Sequence, residues 1–290
     1  MKKTLAIIIS LLAAGSVFAN GAGEAAGFDP QKSIGVVSRE DGSGTRGAFI
    51  ELFGIEVKGA DGSRKDMTTR EAVIAKQTDV MMMSIAGDTY AIGYISLGSL
   101  NETIKAINVN GTAASTTNVK NGTYTVSRPF YIATKGEPTE STKDFINFIT
   151  SSEGQSVIAK SYIPVDESAP AYTGNKPAGS KIVVAGSSSV TPIMEKLREA
   201  YLALNPSAVI EIQMSDSSAG MTAAISGACN IGMSSRELTE NERTQLVPVK
   251  IAIDGIAIIV NKKNPVTNLT TDEVKTIFIG ETTRWAQVIK

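Results

Sequence analysis

The sequence contains no histidine and a single cysteine, Cys229, among its 290 residues. Without histidine the chain has no Ser-His-Asp or Cys-His catalytic arrangement, no imidazole metal ligand and no histidine general base. One cysteine forms neither an internal disulfide nor a cysteine metal site, and its apolar neighbours favour an inert core thiol. No carboxylate cluster has the spacing of metal ligands. We therefore expect no catalytic residue, no metal and no cofactor.

The chain also lacks an excess of charge, since 28 Lys and Arg residues against 29 Asp and Glu residues give a formal net charge of −1. A protein without a basic excess has little charge with which to neutralise phosphates, so we expect no nucleic-acid partner. Hydrophobic residues make up 42% of the chain and charged residues 20%, which is typical of globular proteins. The length allows one large domain or two of ordinary size.

Residues 1–19 are predicted to be a signal peptide. Lys2 and Lys3 precede an apolar run from Leu5 to Leu12, and small residues lead to a cleavage site after Ala19. No cysteine stands at that point, so a lipid anchor is not indicated, and no later segment is long and apolar enough to span a membrane. We expect an exported, soluble protein in the periplasm or another extracytoplasmic space, with residues 20–32 as a linker.

A glycine-rich loop, 39–47, follows the apolar run Ile34 to Val37 and precedes apolar residues at helical spacing. Such a strand, loop and helix place backbone N–H groups and the hydroxyls of Ser43 and Thr45 at the positive end of a helix dipole. Arg39 adds a fork-shaped cation. The loop therefore predicts a cradle for an oxyanion.

Strand-like and helix-like stretches alternate along the chain, which predicts an α/β fold with helices on the faces of a sheet. In the first part, Thr68 to Glu71 is expected to open a helix that carries Val73 and Ile74. Residues 164–179 are rich in Pro, Gly, Ser and Ala and predict a linker. The pattern then begins again with the strand 181–185.

Three later loops repeat the chemistry of the first, with small residues and hydroxyls after strands. They contain Ser187-Ser188-Ser189, Ser217-Ser218 and Ser234-Ser235. In open α/β sheets, ligands bind beyond the carboxyl ends of the strands. Neutral dipoles and a single cation, Arg39, suit a dehydrated tetrahedral oxyanion.

On these motifs, residues 182–290 and 33–170 resemble the periplasmic phosphate-binding proteins of ABC phosphate importers, the PstS-type family. The strand and loop 182–192, the loops 217–220 and 230–236, and the Arg39 loop resemble that family's anion loops. The resemblance implies a type II periplasmic-binding-protein fold of two lobes with a two-strand hinge. It also implies inorganic phosphate as ligand, the membrane subunits of an ABC importer as partners, and a monomer. The phosphate-binding residues it implies are Arg39, Ser43, Gly44, Thr45, Ser188, Ser189, Ser217 and Ser235.

The order of the segments differs from the family pattern, in which the part beginning at Lys181 comes first. We interpret the chain as a circular permutant, and engineering is favoured over nature as its origin. The old termini would be joined through 169–180. Lobe I would be continuous over 124–262, and lobe II would comprise 28–123 plus 263–290. The hinge strands are predicted near 123–128 and 260–265.

A second difference concerns selectivity, because some family members place an aspartate in the third loop where this chain has Ser235. A hydroxyl does not repel sulfate as a carboxylate would, so another oxyanion such as sulfate stays open as the ligand. Asp254 is a candidate replacement for the acceptor, and Asp41 is expected to pair with Arg39. Two further alternatives are a phosphatase-like enzyme acting on phosphate esters and a sensor or scaffold that reports lobe closure.

Overall fold

A computed structural model describes residues 27–59, 63–174 and 181–289. The predicted signal peptide and the first part of the predicted linker, up to residue 26, lie outside the described residues. So does 175–180, the second part of the predicted joint between the old termini. Within the described ranges, no helix is both long enough and apolar enough to cross a membrane.

The described residues form strands and helices in alternation. The strands are β1 Gly35–Arg39, β2 Glu56–Lys58, β3 Arg64–Asp66, β4 Val73–Ala75, β5 Ala91–Ser96, β6 Ile104–Ala106, β7 Asn108–Val109, β8 Ser127–Thr134, β9 Ile163–Pro164, β10 Lys181–Ser187, β11 Val209–Ser215, β12 Ile231–Ser234, β13 Val247–Asn261 and β14 Asn268–Leu269. The α-helices are α1 Gly44–Leu52, α2 Thr78–Gly87, α3 Thr116–Lys120, α4 Glu140–Thr150, α5 Ser152–Ile158, α6 Thr191–Leu204, α7 Ser217–Ser226, α8 Glu240–Gln245 and α9 Thr271–Phe278. The predicted α/β fold is confirmed.

The main sheet runs in the order β11-β10-β12-β8-β13-β5-β1-β4, with β6 and β9 also paired to β13. Its two ends are parallel. One end holds β1, β4 and β5 and, with α1 and α2, is called the Arg39 half below. The other holds β10, β11 and β12 and, with α6 and α7, is called the Ser188 half. The antiparallel strands β8 and β13 lie between them.

The long strand β13 connects the two halves. Residues Val247–Gly255 pair with β8, and Ile256–Val260 pair with β5. At the change of partner, the Ile256 amide donates to the Val126 carbonyl at 2.8 Å. The first predicted hinge segment, 123–128, lies beside this point. The second, 260–265, begins near the end of β13, past the change of partner between Gly255 and Ile256, and its role as a hinge stays a prediction.

The predicted helix opening at Thr68 is wrong. Val73–Ala75 forms β4, which pairs in parallel with β1. The polar residues before it close local turns instead of capping a helix, since the Thr68 amide donates to Asp66 and the Glu71 amide to the Thr69 hydroxyl. β-Branched Val73 and Ile74 suit an edge strand.

An aromatic cluster holds α1 on the sheet. The ring of Phe49 stacks on that of Tyr94 with centroids 3.9 Å apart, and Phe278 meets Phe49 edge-on at 4.6 Å. All three side chains are fully buried. The Tyr94 hydroxyl in turn accepts from the Arg39 amide at 3.1 Å and bonds Ser38 at 2.9 Å. The core of the Arg39 half therefore fixes both ends of the loop between β1 and α1.

We expect Phe49→Ala to lower the free energy of unfolding by about 3–5 kcal/mol, because it leaves a cavity under α1. Leu52→Ala on the same helix is the matched control, since Leu52 is 40% exposed and should cost far less. Urea unfolding followed by circular dichroism measures both. Equal losses for the two variants would contradict the assigned packing.

Candidate functional site

The loop between β1 and α1 lets the backbone of α1 lie close to the opposite half of the protein. Gly42 has φ +85°, a conformation that favours glycine, and Ser43 caps α1 by accepting from the Arg46 amide at 3.3 Å. The helix begins at Gly44, so the first free amides of α1 lie next to Gly44 and Thr45. Both residues are buried. The turn therefore places a helix N-terminus inside the protein.

Side chains from the two halves meet at this point. A guanidinium nitrogen of Arg39 donates to the Ser188 hydroxyl at 3.0 Å, and the hydroxyls of Thr45 and Ser189 lie 2.8 Å apart. Arg39 is only 1% exposed. The carboxyl ends of β1 and β10 thus face each other across a closed, polar contact.

The second and third predicted loops complete the cluster. The Ser187 hydroxyl donates to that of Ser235 at 2.9 Å, and the Ser235 amide donates to the Ser217 hydroxyl at 3.0 Å. Gly44 is pressed against this pair, because a Cβ there would lie 2.4 Å from the Ser217 oxygen and 2.7 Å from that of Ser235. The structure therefore brings all eight predicted site residues to one buried region between the halves.

Sequence reasoning missed Thr78, the first residue of α2. Its hydroxyl accepts from Arg39 at 3.3 Å and lies 3.3 Å from the Ser188 hydroxyl and 3.4 Å from that of Ser189. The only signal in the sequence is a threonine just before an apolar helix. Ser187 lies in the predicted loop Ser187-Ser188-Ser189 but is not among the eight predicted residues, although its hydroxyl bonds that of Ser235.

The expected pairing of Asp41 with Arg39 is wrong. Arg39 instead makes a two-pronged contact with Glu40, with Nε to Oε2 at 2.8 Å and Nη2 to Oε1 at 2.7 Å. Asp41 lies at the tip of the turn with its side chain 98% exposed, and it pairs with Arg46 at 2.7 Å. Because Arg46 also donates to the Arg39 carbonyl at 2.9 Å, Asp41 supports the loop backbone rather than the guanidinium.

Asp254 is 1% exposed and has partners of its own. Its carboxylate lies 3.3 Å from Arg128 and accepts from the Gly98 amide at 3.4 Å. Burial raises the pKa of Asp254 to about 6, against the opposing effect of Arg128. The contacts that hold this carboxylate are therefore different from those within the eight-residue cluster.

The arrangement suits binding of an oxyanion. Hydroxyls, backbone amides and one guanidinium donate hydrogen bonds toward the same region. Among the residues that the structure describes, no group of three His, Cys, Asp or Glu side chains is placed to hold a metal ion. Nucleophilic hydroxyls are present, but no imidazole lies in the chain to activate them.

Comparisons with known proteins agree with this geometry. A family model described as a PBP superfamily domain matches residues 22–153 and 167–290. The phosphate-binding protein PstS 2 of Streptococcus agalactiae serotype V is 51% identical over 261 residues, with 89% of this chain and 88% of that protein covered. The phosphate-binding protein PstS of Bacillus subtilis is 30% identical over 118 residues, which cover 40% of this chain and 39% of that protein. The crystal structure of a phosphate-binding protein of a phosphate ABC transporter from Streptococcus pneumoniae superposes with a TM-score of 0.70 and 41% identity, over 89% of this chain and 100% of that one.

Gly44→Ala should weaken oxyanion binding at least about tenfold, because the added methyl group would collide with Ser217 and Ser235 and keep the halves apart. Gly47→Ala is the matched control on the same helix, since its Cβ would meet only Arg236 at 3.8 Å. Calorimetry with inorganic phosphate measures both variants. Unchanged affinity in Gly44→Ala would show that the halves need not approach this closely.

Glu40→Gln should weaken phosphate binding on the order of tenfold, because the guanidinium of Arg39 loses the charged partner that holds its plane. Asp41→Asn should leave the affinity nearly unchanged, since Asp41 contacts Arg46 at the surface. The same calorimetric titration compares the two. A larger effect of Asp41→Asn would reverse the assignment of these carboxylates.

Proposed function

Because this chain belongs to the PBP superfamily and to its PstS-type phosphate-binding proteins, we propose that it captures inorganic phosphate between its two halves for an ABC importer. The observation that carries the proposal is the buried contact of Arg39 and Thr45 with Ser188 and Ser189, which joins the two halves through groups that bind oxyanions. The phosphate would enter an open form and replace these direct contacts with bonds to its own oxygens. Closure would then bury it.

The donors that the cluster offers match the oxygens of a tetrahedral anion. The Arg39 fork and the hydroxyls of Thr45, Ser188 and Ser189 come from opposite sides, and the first amides of α1 add the positive end of a helix dipole. Ser217 and Ser235 extend the same set. A ligand with four oxygens can accept from both halves at once, and this is what favours closure over opening.

Phosphate is favoured over sulfate by the relatives, which are named for phosphate. Ser235 nevertheless leaves the third loop without a carboxylate, so discrimination against sulfate would rest on the hydroxyls, which both donate and accept. The family is one of binding proteins rather than enzymes, so the phosphatase alternative is set aside.

We also propose that the segment order is a natural permutation shared with streptococcal relatives. The Streptococcus agalactiae protein matches nine-tenths of the chain, whereas the Bacillus subtilis protein matches two-fifths. A permutation relative to the second kind of protein would limit an alignment in chain order to one segment. An engineered origin has no support, because natural streptococcal proteins match nearly the whole chain.

Residues 1–19 would direct export, and the mature chain would act as a monomer outside the cytoplasmic membrane.

The lobes would divide between Gly255 and Ile256, where β13 changes its partner strand from β8 to β5, and beside Val126. Bending at these two crossings would open the cleft.

Phosphate titrated into the phosphate-stripped protein should give one site per chain, and sulfate should bind more weakly. Arg39→Gln should reduce phosphate affinity by about a hundredfold, since it removes the cation that donates to Ser188. Isothermal calorimetry measures all three titrations.

Equal affinity for sulfate would make the protein a general oxyanion receptor. Binding of neither anion by the folded protein would refute the proposed function. Arg64→Gln is the charge-matched control, because Arg64 pairs with Glu56 in a half-exposed surface contact.

A further inference from the structure

A second buried arginine, Arg128, lies where the two halves meet. In the ladder between β8 and β12, Ser234 faces Tyr131, so Ser235 follows at the level of Phe130. Arg128 is two residues further along β8, about 7 Å of strand. Arg128 lies directly opposite Asp254 on β13. Two residues further along β13, Ile256 lies opposite Ser96 at the end of β5. The register thus places Arg128 and Asp254 at the base of the cleft, between the ligand-facing edges of both halves.

The hydrogen bonds of Arg128 are incomplete. Its side chain is 2% exposed, and one nitrogen, Nη2, lies 3.3 Å from Asp254. Its Nε and Nη1 atoms have no hydrogen-bond partner among the described residues. Arginine is a donor only, so these two N–H groups require an acceptor, and leaving them unpaired in the interior is costly.

The charge of Arg39 acts on Arg128. The cavity that Arg128 lines with Gly47 and Ala48 of α1 contains none of the eight predicted site residues, so the strand register is what places Arg128 near the cradle. Burial lowers the pKa of Arg128 to about 10, Asp254 opposes this effect, and the positive charge of Arg39 adds to it. The positive charge of Arg39 therefore acts on the guanidinium of Arg128. An anion between them would relieve their repulsion.

We propose that Arg128 is a second cation of the phosphate site, and that its unpaired N–H groups reach the bound oxyanion directly or through one ordered water. This inference rests on the proposed function. The oxyanion would supply the acceptor that Arg128 lacks, and the ligand would contact the guanidinium of Arg39 from one half and that of Arg128 at the base of the cleft. Binding would then stabilise both the closed form and the buried arginine.

Asp254 has a different role under this proposal from that of a proton acceptor for phosphate. It touches Arg128, so it is a positioning residue that also offsets part of the arginine's charge. The two roles predict opposite effects of Asp254→Asn. Loss of an acceptor would weaken phosphate binding, whereas loss of the counter-charge would leave Arg128 more strongly attracted to the anion.

Calorimetry on the phosphate-stripped full chain tests the proposal with phosphate and sulfate as the probes. Arg128→Gln should weaken binding of both anions about tenfold or more, and Asp254→Asn should strengthen binding of both about threefold or more. Arg243→Gln is the control for loss of one positive charge, because Arg243 is a half-exposed residue paired with Glu237. It should change either affinity less than twofold.

Thermal unfolding without ligand separates binding from structure. Asp254→Asn should unfold at a lower temperature than the wild type while binding phosphate more tightly, a combination that a purely structural pair does not produce. If Arg128→Gln does not fold, Arg128→Lys takes its place, with the same expected direction because the fork is lost.

Wild-type affinity in a folded Arg128 variant, or weaker binding in Asp254→Asn, would overturn the role of Arg128 alone. Failure of the wild-type protein to bind phosphate would refute the proposed function and this inference together.

Discussion

The burial of hydroxyl groups at the facing edges of two half-sheets is the constraint on which the rest of the structure depends. A buried hydroxyl needs a hydrogen-bond partner, and Thr45 and Ser189 find theirs in each other. Within the Ser188 half, the hydroxyls of Ser187 and Ser235 are likewise bonded to each other. Since a hydroxyl both donates and accepts, it can pair with a neighbouring hydroxyl or with an anion oxygen. Under the proposed function, the same groups would serve both the empty and the occupied cleft.

The continuity of the sheet through β13 makes this arrangement possible. The strand β13 pairs first with β8 and then with β5. As a result, the carboxyl ends of the parallel strands in the Arg39 half meet those in the Ser188 half. Only one other segment, near Val126, crosses beside it in the described chain. Under the proposed function, these two crossings would let the halves bend, while the stacking of Phe49 on Tyr94 holds α1 of the Arg39 half on the sheet.

Much of this could be predicted from the sequence, because the informative motifs are local. The residues of the glycine-rich loop 39–47 predict its turn and the helix start, and the long β pattern around Asp254 predicts the strand β13.

Other features could not be predicted, because they depend on partners that are distant in the sequence. β4 is a strand only because β1 provides an edge to pair with, and Val73 and Ile74 alone fit a helix or a strand. Glu40 and Asp41 are adjacent carboxylates, and which of them faces Arg39 depends on where the turn exposes its tip. Thr78 enters the site because α2 packs beside β1, which no local motif records.

Under the proposed function, the placement of carboxylates explains how a nearly neutral protein would hold a multiply charged anion. Each buried arginine at the cleft carries its own acidic partner, Glu40 for Arg39 and Asp254 for Arg128. These partners make the cost of burying the cations smaller in the absence of ligand. Their effects on an anion differ, because the two-pronged contact of Glu40 holds the plane of the Arg39 guanidinium, whereas the single 3.3 Å contact of Asp254 mainly offsets the charge of Arg128. Binding therefore depends on the geometry of the hydroxyls as well as on charge. A site of this kind gains selectivity from shape and hydrogen bonding because its electrostatic attraction is already partly offset.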